Sequence, residues 1–405
     1  MQVLLSSIGS RGDVQPILAL ALELRALGHP VRLCVAPNFK DWIESYGLEC
    51  VPIGPDLKKL TGGSVPGKPV LPSREQLQKM AEDSVHGQFQ VIAGAARGCD
   101  LLVAAGALQV ATRSIAEAQG IPYVFAAYCP AVLPSPAYPP PKTGGHPSYT
   151  LPESENLQLW RQNAAEFELF GPTLNQERAR LGLAPIDGVR DHIFTGQPWL
   201  AADPELAPVV PAAGLQVVQT GAWMLSGAAP LPDELEAFLA AGAPPLYLGF
   251  GSMRASDQTG PMLVQAARAL GRRALLSQGW AGLIPGEAGE DCFSLGEVDY
   301  ARLFPRVAAV VHHGGAGTTT TAARAGRAQV VVPHNYDQFY WAHRVQQLGV
   351  GASGPTRDEL SLDALVETLR AALRPEVTAR AQALAARIEP HGARLAAERL
   401  ARQFA

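Results

Sequence analysis

Val307-Ala308-Ala309-Val310-Val311-His312-His313-Gly314-Gly315-Ala316-Gly317-Thr318 reads as a buried strand over Val307 to Val311 that breaks into glycines and restarts as a helix over Thr319 to Arg324. An unbroken apolar run, a glycine-rich turn and a helix form the repeating unit of a parallel sheet covered by helices. Glycines let backbone N–H groups approach an anion closely, and a helix start adds a partial positive charge of roughly half an electron unit. A histidine ring and a threonine hydroxyl can donate to the same oxygens. His313, Gly315, Gly317 and Thr318 are therefore expected to cradle a diphosphate. The bland alternative is a tight strand-to-helix turn with incidental histidines.

Working outward, the same unit recurs. Leu246-Tyr247-Leu248-Gly249-Phe250 reads as a strand and Gly251-Ser252 as its turn, which makes Ser252 a second anion contact at the same sheet edge. A helix from about Met262 to Leu270 and strands at Ala274-Leu275-Leu276 and Gln329 to Val332 complete this half. The other half opens with Val3-Leu4-Leu5, a loop from Ser6 to Asp13, and an amphipathic helix from about Val14 to Leu27 that Gly28 stops. Further strand runs follow at Val31 to Val35, Leu101-Leu102-Val103 and Tyr123 to Ala126. The expected class is α/β, with two Rossmann-like domains facing each other across a cleft at the carboxyl ends of both sheets. Boundaries are placed at 1–221, a linker over 222–244 around one short helix, 245–389, and a final helical stretch over 390–405.

Composition narrows the function. With 405 residues, 47% hydrophobic and 17% charged, the chain can build two ordinary cores. A net charge of −4 without basic clusters gives no footprint for nucleic acid. No apolar run approaches the ~20 residues of a membrane span, and the N-terminus lacks a basic leader. Cys34, Cys50, Cys99, Cys129 and Cys292 are scattered and odd in number, which favours a reducing cytoplasm over a disulfide framework or zinc site.

Asp337-Gln338 follows the strand Gln329–Val332 and the loop Pro333-His334-Asn335-Tyr336. A carboxylate beside a carboxamide can bond neighbouring sugar hydroxyls, although Asp337 could equally cap a helix. Trp341 shares a helix face with Gln338, where it would pack under a sugar ring or into the core. Trp280 and Val298 are the candidates for stacking on a nucleobase and reading its edge. No Asp-x-Asp occurs anywhere, so backbone amides, His313 and hydroxyls are expected to stabilise leaving-group charge without a metal. At the opposite edge Asp13 is the candidate general base, because no histidine precedes His29; a cap on the first helix is the competing role. Ser10 and Arg11 are expected to reach the donor phosphate from that wall.

These residues together resemble family 1 glycosyltransferases of the GT-B fold, and among them the enzymes that glycosylate vancomycin-type glycopeptide aglycones. The resemblance rests on Gly9-Ser10-Arg11-Gly12-Asp13, the proline-rich run from Cys129-Pro130 to Pro139-Pro140-Pro141, Gln219-Thr220-Gly221-Ala222-Trp223, Tyr247 to Ser252, His312 to Thr318 and Asp337-Gln338. It implies inverting transfer of a hexose from a UDP- or TDP-sugar co-substrate to an acceptor hydroxyl, with no other cofactor. Asp13 would be the base, the His313 segment would hold the diphosphate, and Asp337-Gln338 would hold the sugar. It also implies that the helix from Pro390 to Phe404 crosses back onto the N-terminal domain, and that the acceptor lies in loops at Gly54 to Pro72 and Pro134 to Ser148. The first of these carries the turn signals Gly62-Gly63-Ser64 and Pro66-Gly67-Lys68-Pro69. Sterol, lipid and flavonoid acceptors remain open. A nucleotide-sugar 2-epimerase and a catalytically dead nucleotide-sugar binder fit less well, given the acceptor-side prolines and Asp13. A dinucleotide-dependent dehydrogenase is disfavoured because Ser6 to Ser10 is not Gly-x-Gly-x-x-Gly.

Overall fold

The computed structural model describes residues 1–405 apart from 57–71, 107, 143–145, 226, 228, 229, 254, 281 and 288. Short apolar runs become strands buried along their length, as in Val3–Ser7 and Leu101–Ala105, because helices cover both faces of a parallel sheet. In chain order the first sheet contains β1 (Val3–Ser7), β2 (Val31–Val35), β3 (Glu49–Pro52), β4 (Leu101–Ala105), β5 (Tyr123–Ala127), β6 (Trp199–Leu200) and β7 (Val218–Gln219). The second contains β8 (Leu246–Gly249), β9 (Ala274–Ser277), β10 (Cys292–Leu295), β11 (Ala309–His312), β12 (Ala328–Val331) and β13 (Gly351–Ser353). Their spatial orders are β3-β2-β1-β4-β5-β6-β7 and β10-β9-β8-β11-β12-β13, with every neighbouring pair parallel. Growth of each sheet reverses direction once, between β1 and β4 and between β8 and β11. Crevices open at such switch points, beyond the carboxyl ends of the strands. The two-sheet GT-B architecture read from the sequence is the one observed.

The last helix, Gly392–Phe404, does not stay with the sheet that precedes it. Its Ala393, Ala396, Ala397 and Leu400 share one core with Val14, Ile17 and Leu24 of the first helix and with Trp223. Contact is close enough to demand glycine: a Cβ on Gly392 would lie 2.5 Å from the carbonyl carbon of Gly221, itself at φ +82°. A second bridge runs along the proline-rich segment. Tyr138 meets Tyr340 at 5.4 Å between ring centroids, His146 meets Phe339 at 5.1 Å, and Tyr149 stacks on His343 at 4.7 Å. This ties the acceptor-side prolines to the helix Gln338–Gln347 that begins beside Asp337.

Several element ends differ from the sequence reading: the last helix begins at Gly392 rather than Pro390, while others begin earlier than expected. The first helix spans Arg11–Ala26 rather than starting near Val14, and the helix after β11 spans Ala316–Arg324 rather than starting at Thr319. Apolar periodicity marks where a helix becomes buried, whereas hydrogen bonding begins a turn earlier, at a cap.

Candidate active site

The cradle stands at the second switch point. Residues His312 and Gly249 are paired partners on β11 and β8, so the turn after each strand opens on the same crevice. The half-buried ring of His313 lies between two glycines: a Cβ on Gly251 would come within 3.0 Å of its Cε1, and one on Gly315 within 2.6 Å of its Nε2. Only glycine leaves room for the imidazole at both places. Burial, with His312 and His334 nearby, pushes its pKa down to about 3, so the ring is neutral. Its Nδ1 is buried and has no hydrogen-bond partner, an unusual state for a polar atom and one that a ligand oxygen would relieve. Gly315 is the N-cap of Ala316–Arg324 and supplies no side chain, and no acidic residue occupies the first turn. The leading N–H groups of that helix therefore have no internal acceptor and present positive potential beside Ser252, Gly317 and Thr318.

His312 belongs to the framework instead. Its fully buried ring bonds Gln329 Oε1 through Nε2 at 2.9 Å and accepts from the Gly314 amide on Nδ1 at 3.1 Å. It pins the turn to β12 and thereby sets where His313 stands.

Asp13 lies on the first turn of its helix, so the segment Arg11–Asp13 expected as loop is helical. Ser10 is the N-cap and Asp13 the third residue of a capping box: the Ser10 amide donates to Asp13 Oδ2 at 2.7 Å and the Ser10 hydroxyl at 3.1 Å. A Cβ on Gly9 would sit 2.2 Å from that same oxygen, which explains the glycine. The Asp13 carbonyl accepts from Tyr128 Oη at 2.9 Å and Ser7 Oγ at 3.1 Å, anchoring the turn to β1 and to the residue after β5. Burial raises the carboxyl pKa, and the bonds from Ser10 partly offset it. The two readings of Asp13 are thus compatible, since the box uses Oδ2 alone.

Asp337 stands at the start of Gln338–Gln347 without capping it; its Oδ2 accepts from Trp341 Nε1 at 3.1 Å. Trp341 is 1% exposed, which corrects the idea that it packs under a sugar: it is a core residue that aims the carboxylate. Burial raises the Asp337 pKa to about 6, and Asp13 adds to the rise across the cleft. The Gln338 carboxamide oxygen accepts from the His334 and Asn335 amides at 2.8 and 3.0 Å, so this side chain braces the loop before Asp337.

The remaining expected contacts are drawn together differently. Arg11 pairs with Glu297 at 3.0 Å and covers the Trp42 ring at 5.0 Å, which directs it toward the Gly296–Asp299 turn rather than to the glycine cradle. The Ser10 hydroxyl is occupied within the capping box. Trp280 stacks on Phe39 of the opposite domain at 6.2 Å and 26°, so one face of the expected base platform is covered. Val298 packs partly into the core formed by Leu295, Leu303 and Phe304. Of the two acceptor-side loops, 57–71 of the first lies outside the described residues, whereas in the second, Pro134 to Ser148, the stretch Tyr138 to Pro141 is buried. Sequence reasoning passed over Tyr336, Glu297 and Phe39. Only the aromatic character of Tyr336 in a strand-following loop could have flagged it.

Paired Rossmann-like sheets facing each other across a cleft are the GT-B arrangement. The model described as the glycosyltransferase family 28 N-terminal domain matches residues 3–135, and the erythromycin biosynthesis protein CIII-like C-terminal domain matches residues 293–397. Glycosyltransferase GtfE of Amycolatopsis orientalis is 45% identical, across 99% of this chain and 97% of its own. The vancomycin aglycone glucosyltransferase of the same organism is 44% identical over the same shares, and its dTDP-epi-vancosaminyltransferase is 40% identical over 94% and 92%. The chain belongs to this glycosyltransferase family and is an enzyme of that type. Among solved structures, the glycotransferase of kitacinnamycin superposes with a TM-score of 0.73 over 100% of this chain and 99% of its own, at 20% identity, a likeness of fold alone. Among the described residues no helix is long and apolar enough to cross a membrane.

Proposed function

We propose that the protein transfers a hexose, with glucose the first candidate, from a UDP- or TDP-sugar to a hydroxyl of a hydrophobic or phenolic natural product resembling a glycopeptide aglycone. The observation that carries this reading is the pairing of the unpartnered His313 Nδ1 with the Asp13 carboxylate, which raises the pKa of Asp337 across the cleft. The names of the relatives support the donor and acceptor classes: one acts on vancomycin aglycone, another takes its name from a dTDP-linked sugar.

In the reaction, Asp13 Oδ1 takes the proton of the acceptor hydroxyl as its oxygen bonds the anomeric carbon. The bond from that carbon to the diphosphate breaks on the opposite face, and the configuration inverts. A raised pKa makes Asp13 a stronger base. Negative charge grows on the leaving diphosphate, where the Gly315 helix start, Ser252, Thr318 and the neutral His313 donate to it. Asp337 orients the sugar hydroxyls, and the turn around Trp280 and Val298 faces the base.

A donor-by-acceptor screen by mass spectrometry tests this, using UDP-glucose and TDP-glucose against a glycopeptide aglycone, a sterol and a flavonoid. Transfer to the aglycone is expected, at an unchanged rate in EDTA. Products from the sterol alone would sink the acceptor class, and a strict Mg²⁺ requirement would sink the metal-free mechanism.

A further inference from the structure

Tyr336 is one of two non-glycine residues at positive φ among the described residues, at +57°. A bulky side chain in this region costs free energy and persists only where its surroundings over-determine it. Here they do. The Gln338 carboxamide holds the two preceding amides, and a Cβ on Gly314 would lie 2.9 Å from the Gln338 carbonyl, so the loop has no room to relax. The result is an aromatic residue with 36% of its surface accessible, immediately before Asp337.

Where the ring sits decides what it can touch. Its hydroxyl lies within electrostatic reach of Asp337 on its own domain, and of Cys129, Asp13 and Glu166 on the other. It is accessible yet ringed by protein groups from both domains, as expected of a side chain lining a concave space. Those groups come from both halves of the chain, and the residue stands next to Asp337, whose own pKa responds to Asp13 across the cleft. Glu166 lies on the helix Glu153–Phe167, on the same face as Gln162 and Gln158. Those two glutamines, with Pro139, Lys142, His146 and Leu151, line a cavity of about 340 Å³ under the proline-rich segment. An acceptor whose reacting ring lies against Tyr336 could extend its remainder along that helix face.

Resting on the function proposed above, we propose that Tyr336 is a specificity-determining residue, whose ring stacks on the aromatic ring bearing the acceptor hydroxyl and orients that hydroxyl toward Asp13. An aromatic partner gains from an offset or edge-on ring contact in a way that an aliphatic alcohol does not.

The test compares the full-length parent with Tyr336→Gly and Tyr336→Phe. It uses 4-methylumbelliferone as aryl acceptor, cyclohexanol as aliphatic ring, and donor hydrolysis by water as the acceptor-free control. Tyr336→Gly should lower kcat/KM for the aryl acceptor by about tenfold. It should leave cyclohexanol, hydrolysis and donor KM unchanged. Its melting temperature should hold or rise, because glycine takes positive φ freely. Tyr336→Phe should retain the aryl preference. Equal losses on all three substrates would place the ring against the donor sugar and overturn the assignment, as would no loss or a fall in melting temperature. A parent that does not transfer to the aryl hydroxyl sinks the phenolic acceptor and this assignment together; a parent that does, with variants failing the pattern, sinks the assignment alone.

Discussion

The turns after β1 and β11 share one plan and opposite chemistry. Each leaves a central strand at a switch point and opens a helix whose first N–H groups need acceptors. After β1 the chain satisfies them itself: Ser10 caps, and Asp13 closes the box with its own negative charge. After β11 the cap is Gly315, the first turn carries no acid, and the donors are left for something external. In the reaction proposed above, the first helix start holds the base and the second donates to the leaving diphosphate.

The sharpest way to break that contrast is Asp13→Asn. It keeps the shape of the box and removes the base, so kcat should fall by about 10²- to 10⁴-fold. Nucleotide affinity measured by calorimetry should stay nearly constant, and activity within a few-fold of the parent would refute the base. Next, Gly315→Ala fills the open start. Its Cβ would meet His313 Nε2 at 2.6 Å and push the ring aside. Donor KM should rise by about tenfold, the size of one lost donor to a charged group, while acceptor KM in steady-state kinetics stays put.

Asp337 sharpens the comparison through pH. With its pKa raised to about 6, the carboxyl ionises in the unfolded chain at lower pH than in the folded one. It therefore destabilises the fold as pH rises from about 4 to about 6, and the penalty is complete at pH 7. Asp337→Asn should raise stability at pH 7 by on the order of 1–2 kcal/mol in urea titrations while lowering kcat/KM. The smallest effect belongs to Ser10→Ala, which removes the cap. Stability should drop by about 1 kcal/mol, with only a few-fold change in rate. A rate loss as large as that of Asp13→Asn would mean that Ser10 itself contacts the reacting groups.

Much of this was legible in residue order. The apolar runs read as strands because parallel strands are buried on both faces and tolerate no polar alternation. Gly-rich turns placed strand ends at the switch points. Ser10 and Asp13, three apart before an apolar stretch, carried the signature of a capping box, so the early start of the first helix was available to a closer reading. Trp341 was ambiguous because a tryptophan three residues past Gln338 suits a sugar face and a core equally; only its neighbours settle which. The diversion of Arg11 to Glu297 joins residues from separate domains, and no local pattern encodes such a pair.

By itself, the sequence determined the α/β class, the two-sheet plan and the residue types gathered at each strand end, because strand periodicity, glycine freedom and helix polarity are local properties. Tertiary structure alone decided which of two adjacent histidines keeps an unpartnered ring nitrogen and which is locked to Gln329. It also decided that the Asp13 charge raises the Asp337 pKa, and that Tyr336 is held at positive φ before the cleft. Those outcomes depend on distances between segments far apart in the chain, which burial and cross-strand registry set.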